Sequence, residues 1–133
     1  MTSRMSGPQL QLDQKNALQT WLFALPAPAK SGVLDDAAVA RGKTVFEDTK
    51  VGCATCHSGA HFTNSATVDV GTGGAFQVPS LIGVGARAPF LHDGSAMTLR
   101  DRFASQGGGD RHGHTSSLSG AQISDLIAYL ESL

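Results

Sequence analysis

The sequence predicts an all-α domain with long ordered loops, and three observations support this fold class. Apolar residues recur at helical spacing near both ends of the chain, next to residues that favour the start of a helix. The glycine-rich middle, residues 68–96, shows no sustained period of either the helical or the strand kind. With 16 glycines but six phenylalanines, one tyrosine and one tryptophan, the composition is poor in large core side chains. We therefore expect a group that is not protein to fill part of the interior.

The first predicted helix lies in the segment LDQKNALQTWLFALPAPAKSG, which starts at Leu12. Its apolar side chains follow helical spacing and form one stripe, made of Leu18, Trp21, Leu22 and Leu25. Pro26 and Pro28 follow this stripe. Because proline cannot continue a helix, we expect the helix to end there and a linker to begin.

A second helix is predicted over DAAVARGKTVFEDT, where Asp35 or Asp36 can accept hydrogen bonds from the free amides of the first turn. One face of this helix carries Val39, Gly42, Val45 and Phe46. Glycine inside a helix costs about 1 kcal/mol relative to alanine. Gly42 therefore predicts a close crossing with another helix.

Two further helices are predicted in the last third of the chain. Thr98 can cap a short helix over LRDRFAS, which we expect the glycines at 107–109 to end. After the loop GGGDRHGHTSSL, Ser119 and Gln122 can form a capping box ahead of ISDLIAYLESL. The apolar stripe of this last helix consists of Ile123, Leu126, Ile127, Leu130 and Leu133.

A sequence pattern that occurs twice in the chain bears on the domain organisation. The segments LQTWLFAL (18–25) and LIAYLESL (126–133) both read leucine, two spacers, aromatic, leucine, two spacers, leucine. Because the first is followed at once by a proline-rich linker, it resembles the end of a preceding domain. We expect residues 1–34 to be this N-terminal helix with its linker, and residues 35–133 to be the domain itself.

The charge and hydropathy of the chain argue against two classes of partner, nucleic acids and the membrane interior. The chain has 10 Lys+Arg against 11 Asp+Glu, a net charge of −1, and no basic stripe, so we predict no nucleic-acid partner. No segment approaches the roughly 18 apolar residues of a membrane span, so we predict no transmembrane segment. The start, MTSRMSGPQLQLDQ, lacks the apolar core of a secretory signal.

The segment VGCATCHSGAHFT contains the chemistry-bearing motif, Cys53-Ala-Thr-Cys56-His57. A covalent haem needs two thiols that add across its two vinyl groups, and two spacers match that separation on a helical turn. A histidine directly after the second thiol then lies under the iron as its proximal ligand. We therefore predict one covalent haem c, bound by these three residues.

A pair of cysteines at this spacing also occurs without haem, as a redox disulfide, in a zinc site or by chance. A thioredoxin-like disulfide expects its two cysteines within a βαβ pattern, which this chain does not show. A structural zinc site expects four ligands, but the chain has only two cysteines, and His112 and His114 are too closely spaced for a zinc-finger pair. A chance match stays open because the motif is short.

The glycine cluster GTGGAF is a second motif that could indicate a ligand site. It has Phe76 where a dinucleotide-binding fingerprint needs its third glycine. A phosphate-binding P-loop would need a lysine followed by serine or threonine, and neither follows the cluster. We therefore predict a tight turn there, at the edge of the haem.

Through its haem motif and the segments around it, the chain resembles c-type cytochrome domains, and more closely the C-terminal domain of the bacterial di-haem cytochrome c peroxidase family. The resemblance spans residues 36–133 through RGKTVFEDTKVGCATCHSGAHFT, VPSLIGVGARAPFLHDGSAMTLRDRF and LSGAQISDLIAYLESL. It implies helices around one haem, with Gly42 and Tyr129 near the crossing of the first and last helices of the domain. It also implies an exported, periplasmic protein, since thioethers are formed outside the cytoplasm, and hence that this chain is excised from a longer parent.

The sixth iron ligand is where the sequence departs from that family. The methionine that the resemblance implies corresponds to Gln106 here, and an amide is a poor haem ligand. We expect His112 in its place, because the glycine-rich loop can carry an imidazole over the iron, and Met97 is the alternative. The remaining candidates rank lower, and they are His61, His92 and His114.

Further contacts with the haem are expected from Pro79 and Leu81 of the VPSL segment and from Arg87, whose guanidinium can pair with a propionate. The sequence thus predicts an electron-transfer domain whose partner is a redox protein or a neighbouring haem domain, with no catalytic residue of its own. The alternative function is a peroxidatic haem domain with an open or readily opened iron. A gas sensor is the third hypothesis.

Overall fold

The computed structural model describes residues 7–26, 33–104 and 107–133 of the chain. Its α-helices are α1 (Leu12–Ala24), α2 (Asp36–Glu47), α3 (Cys53–Cys56), α4 (Leu99–Arg102) and α5 (Gly120–Glu131). Short 3₁₀ turns cover Val84–Ala86 and Gly109–His112, and the strands are β1 (Thr67–Asp69) and β2 (Ala75–Gln77). In the part of the chain that is described, no helix combines the length and the apolar character that a membrane crossing needs.

Helix α1 forms where the apolar stripe predicts it and ends just before Pro26. Its first turn is closed by the side chain of Gln14, whose Oε1 accepts from the Gln11 amide at 2.9 Å. No residue of α1 is buried, and Trp21 and Leu22 are 59% and 49% exposed. The predicted helix is therefore present, but its apolar stripe contacts solvent. Most of the predicted linker that follows lies outside the described residues.

The crossing of α2 and α5 organises the core. The Asp35 side chain caps α2 by accepting from the Ala37 amide at 2.9 Å, as the sequence predicts. A Cβ added at Gly42 would lie 1.9 Å from the Asp125 carbonyl oxygen, so only glycine lets the two backbones approach this closely. The bidentate ion pair of Arg41 with Asp125, at 2.8 and 2.9 Å, joins the same two helices.

The buried core spreads from this crossing. Phe46 packs against Tyr129 with ring centroids 5.2 Å apart, and against Phe62 at 6.1 Å. Helix α5 begins with the predicted capping box of Ser119 and Gln122, which aims its apolar face at α2. The core cluster consists of Phe46, Val84, Leu99, Leu126, Tyr129 and Leu130. The predicted close crossing at Gly42 is thus confirmed.

A β-hairpin in the glycine-rich middle corrects the all-α prediction. Strands β1 and β2 pair antiparallel, with Val68 opposite Phe76 and Asp69 opposite Ala75. Each strand is three residues long, which is too short for alternation to register as a sustained period. The predicted tight turn at the glycine cluster is the connection between the two strands. The architecture is therefore mostly helical, with one small two-stranded sheet.

The segment after Thr98 also differs from its prediction. Thr98 caps α4 as expected, since its Oγ1 accepts from the Asp101 amide at 3.1 Å. The helix ends at Arg102, before the glycine run that the sequence assigns as its end. Gly108, with φ +93°, then redirects the chain into the 3₁₀ turn Gly109–His112. The glycine-rich loop that the sequence predicts after this helix thus contains a defined turn.

Candidate haem site

The two cysteines lie on one helical turn, α3, which follows directly from the core. Gly52 precedes the turn in a left-handed conformation, with φ +82°, and so brings the chain around after Val51. The His57 amide donates to the Cys53 carbonyl at 3.0 Å, which continues the turn to the histidine. Both thiols are free and partly buried, and burial raises the pKa of the Cys53 thiol.

The His57 ring is oriented by a backbone carbonyl. Its Nδ1 lies 3.1 Å from the Phe62 oxygen, and Phe62 is placed for this contact by a left-handed φ of +50°. Burial lowers the pKa of His57 below its ordinary value, so the ring is neutral near pH 7. A neutral ring that donates from Nδ1 keeps Nε2 as an unprotonated electron-pair donor.

His112 presents the same arrangement from the opposite wall. Its Nδ1 lies 3.2 Å from the Gly107 carbonyl oxygen. Burial, with a further contribution from the charge of Arg102, lowers the pKa of His112 to about 4, so this ring is also neutral near pH 7. Metal ligation requires a deprotonated imidazole nitrogen. Both histidines therefore present an Nε2 that can bind a metal without first losing a proton.

The His57 and His112 rings lie at a separation that suits one shared metal ion. Their centroids are 6.4 Å apart and their planes differ by 31°. Because a metal–imidazole bond is about 2.0 Å long and the ring centroid lies about 1.1 Å behind the nitrogen, two imidazoles on opposite sides of one ion have centroids about 6.2 Å apart. The two imidazoles would thus be able to hold one haem iron between them, and the two thiols beside His57 would hold its porphyrin.

These groups line a cavity of about 840 Å³ that is walled mostly by apolar side chains. Cys53, Cys56, His57 and His112 all line it. The contact residues predicted from the sequence also lie there, namely Pro79, Leu81 and Arg87. The Arg87 guanidinium donates to the Ser80 carbonyl at 2.5 Å, which keeps its side chain along the cavity wall. The site residues proposed from the sequence are therefore brought together around one cavity, apart from Met97.

The other ligand candidates are placed differently. Met97 is 66% exposed and is not among the residues that line the cavity. His92 stacks on Phe76 with ring centroids 3.9 Å apart at the cavity wall, and His114 also reaches that wall. His61 is exposed and does not line the cavity. Gln106 lies outside the described residues.

Arg102 is a residue of the site that the sequence reasoning missed. It lines the cavity at the end of α4, and its guanidinium donates to the His112 carbonyl oxygen. Burial lowers its pKa to about 10, so the group still carries its charge near pH 7. Its position at the end of a capped helix, before the glycine run, was the available signal, but the contact with His112 depends on how the loop folds back.

The chain is similar to known proteins over part of its length. It is 30% identical to hydrazine synthase subunit gamma of Kuenenia stuttgartiensis, in an alignment that covers 70% of this chain and 40% of that protein. It is 29% identical to the methylamine utilization protein MauG of Methylophilus methylotrophus, over 70% of this chain and 36% of that protein. The chain thus spans about two fifths of the length of the curated relatives it matches.

A comparison with solved structures and one with family profiles agree with these relatives. A solved structure of Kuenenia stuttgartiensis hydrazine synthase, pressurised with 20 bar xenon, is similar with a TM-score of 0.80 and 26% identity, over 98% of this chain and 58% of that chain. The profile of the Cytochrome c family matches residues 39–133, which include the Cys-x-x-Cys-His motif. Such domains carry covalent haem c, so the predicted cofactor is confirmed. The chain belongs to the cytochrome c family.

Proposed function

We propose that this chain is a single-haem electron-transfer domain whose iron is ligated by His57 and His112 and closed to substrates. The observation that carries the proposal is that both imidazoles line the one cavity with their ring centroids 6.4 Å apart. Cys53 and Cys56 form the two thioethers. When bound, the haem supplies a one-electron couple between ferric and ferrous iron.

The protein's own groups suit relay better than catalysis. Both imidazoles are oriented by backbone carbonyls through Nδ1, at 3.1 and 3.2 Å, so both ligands are held in place without a change in protonation. Two nitrogen ligands lower the potential relative to a histidine–methionine pair, within a range of about 0.8 V that axial ligands control. Arg87 and Arg102 line the same cavity and place positive charge beside the haem, which favours the ferrous state.

A comparison of His112→Ala with Met97→Ala tests the axial pair. We expect His112→Ala to convert the ferric iron from low to high spin and to let it bind cyanide, because the sixth position opens. Met97→Ala is the matched control, and we expect it to leave the visible spectrum unchanged because its side chain is exposed. If Met97→Ala gave a high-spin iron and His112→Ala left the spectrum unchanged, Met97 would be the sixth ligand. A wild-type haem that is high-spin and reacts with peroxide would favour the peroxidatic alternative.

The anchor of the haem is tested separately. His57→Ala should abolish the low-spin spectrum, while Cys53→Ala and Cys56→Ala should each leave one thioether. The mass of the intact holo-protein measures the covalent attachment, and the loss of one bond shows in the pyridine haemochrome spectrum. A wild-type chain without covalent haem mass would refute the anchor. Because thioethers form outside the bacterial cytoplasm, we also expect attachment only when the chain is exported to the periplasm.

The N-terminal unit, residues 1–34, is proposed to dock on a neighbouring cytochrome domain. Leu18, Trp21 and Leu22 repeat the spacing of the buried triad in α5, Leu126, Tyr129 and Leu130. The α5 triad is 1–8% exposed, whereas its counterparts in α1 are 46–59% exposed. The same pattern is thus covered in one helix and uncovered in the other. A helix of a neighbouring haem domain in a longer parent would supply the missing cover, as α2 does for α5.

Two arginine substitutions at equivalent positions test this proposal. Trp21→Arg should leave the haem spectrum and the unfolding midpoint of this chain unchanged, because its side chain is 59% exposed and no residue of α1 is buried. Tyr129→Arg should lower the midpoint strongly, because it places a charge in the α2–α5 core. A midpoint that falls equally with Trp21→Arg would show that α1 packs on residues 35–133 and needs no further domain.

A further inference from the structure

The β-hairpin lies directly on the loop that carries His112. A Cβ added at Gly108 would lie 2.0 Å from the Val70 carbonyl oxygen. A Cβ added at Gly71 would lie 3.1 Å from Arg111 Cδ and 3.4 Å from the Gly108 carbonyl oxygen. The end of β1 and the start of the His112 turn thus touch backbone to backbone, at positions where only glycine leaves room.

An ion pair joins the same two segments. Arg111 Nη2 lies 2.9 Å from Asp69 Oδ2, and the other carboxylate oxygen of Asp69 accepts from the Gly71 amide at 2.8 Å. Asp69 therefore links the hairpin to Arg111 while it shapes the turn that touches Gly108. Both side chains are about half exposed or more, at 63% and 49%. This pair is consequently weak and sensitive to salt.

Further hydrogen bonds fix the loop that carries His112. Arg102 donates to the His112 carbonyl from the cavity side. Asp110 accepts from the Ser116 amide at 3.0 Å and from its hydroxyl at 2.6 Å, which closes the loop on itself. The His114 amide donates to Val51 at 2.9 Å. The hairpin adds contacts to the same turn at Gly108 and Arg111.

We propose that the hairpin, residues 67–77, is a strap that positions His112 opposite His57 and sets how fast the sixth iron position opens. This inference rests on the proposed ligation by His112. When the strap is in place, its contacts with Gly108 and Arg111 restrain the turn that carries the His112 imidazole. When it separates, the ligand is retained only by the contacts of Arg102 and of the loop itself. Asp69 and Gly108 are positioning residues that act through Arg111 and the loop backbone.

The binding of carbon monoxide to the ferrous holo-protein measures this opening. At saturating carbon monoxide, the rate of binding equals the rate at which the sixth ligand leaves the iron. We expect Gly108→Ala to raise that rate about tenfold or more, because overpacking against backbone costs about 1–3 kcal/mol and 1.36 kcal/mol is tenfold. Gly109→Ala is the matched control, since its φ is also positive, at +53°, but nothing lies within 4 Å of the added Cβ.

The ion pair provides a second, surface variant that keeps the fold. Asp69→Asn should raise the limiting rate about two- to fivefold at low salt, which is the size of effect expected of an exposed ion pair. High salt should raise the wild-type rate towards that of Asp69→Asn and leave the variant almost unchanged. The double variant with Arg111→Gln should be no faster than Asp69→Asn alone, because both changes remove the same contact.

The outcomes separate this inference from the proposed function. If His112→Ala leaves the iron low-spin, then His112 is not the sixth ligand, and the proposed role of the hairpin is refuted together with the proposed ligation. If His112→Ala opens the iron but Gly108→Ala and Asp69→Asn leave the limiting rate at the wild-type value, the strap alone is refuted. Equal acceleration by Gly108→Ala and Gly109→Ala would also refute it, since loop strain and not contact with the hairpin would then control the ligand.

Discussion

Replacing Gly42 by alanine tests the packing that supports the whole domain. The added Cβ would lie 1.9 Å from the Asp125 carbonyl oxygen and 2.8 Å from Tyr129 Cβ, whereas non-bonded carbon contacts settle at about 3.5–4.0 Å. The obstacle is backbone, which cannot rotate away as the tip of a side chain can. Helices α2 and α5 must therefore move apart by more than about 1 Å, and the ring contact of Phe46 with Tyr129 loosens with them.

Two opposing terms set the size of the effect. Alanine improves the intrinsic helix propensity by about 1 kcal/mol, and overpacking costs about 1–3 kcal/mol, occasionally more. Because the clash is with backbone and lies next to the main buried cluster, we take the overpacking cost at the upper end of its range. We therefore expect the free energy of unfolding to fall by about 2 kcal/mol. For a domain of this size, that loss lowers the Tm by about 8 °C.

Thermal unfolding of the ferric holo-protein, followed by far-UV circular dichroism, measures this loss. Gly120→Ala is the matched control, because Gly120 begins α5 and nothing lies within 4 Å of its added Cβ. We expect that variant to keep or slightly raise the Tm. A Gly42→Ala protein as stable as the wild type, or stabilised by the propensity term, would show that the two helices do not cross in contact at Gly42.

Two further predictions concern acid and the cofactor. The ion pair with Arg41 holds the pKa of Asp125 below its ordinary value of 3.8, so its stabilising effect is complete above that value and is lost as the pH falls through the depressed pKa. When the free energy of unfolding is measured against pH, Arg41→Gln should weaken its fall at acid pH. Lys43→Gln, on the same helix, should leave that fall as it is in the wild type. Removal of the haem should leave a molten chain that keeps far-UV but loses near-UV dichroism, and cooperative unfolding of the apo-protein would contradict this.

Local chemistry is what the sequence by itself determined. Asp35, Thr98 and Ser119 cap the helices that they precede, because a capping bond joins groups only two or three residues apart. The Cys-x-x-Cys-His motif is equally local, since one helical turn contains the chemistry that attaches a haem. Gly42 predicted a crossing because a glycine inside a helix has a cost that close packing offsets.

Contacts between distant segments were decided only by the tertiary structure. The sequence left His112 and Met97 as alternatives, and the fold brings the ring of His112 opposite His57 while Met97 faces solvent. The hairpin was missed because strands of three residues carry too little alternation, and their pairing depends on the turn between them. Arg102 was missed because its contact exists only once the glycine run folds back over the cavity. Each of these depends on where a loop closes in space, and spacing along the chain does not determine that.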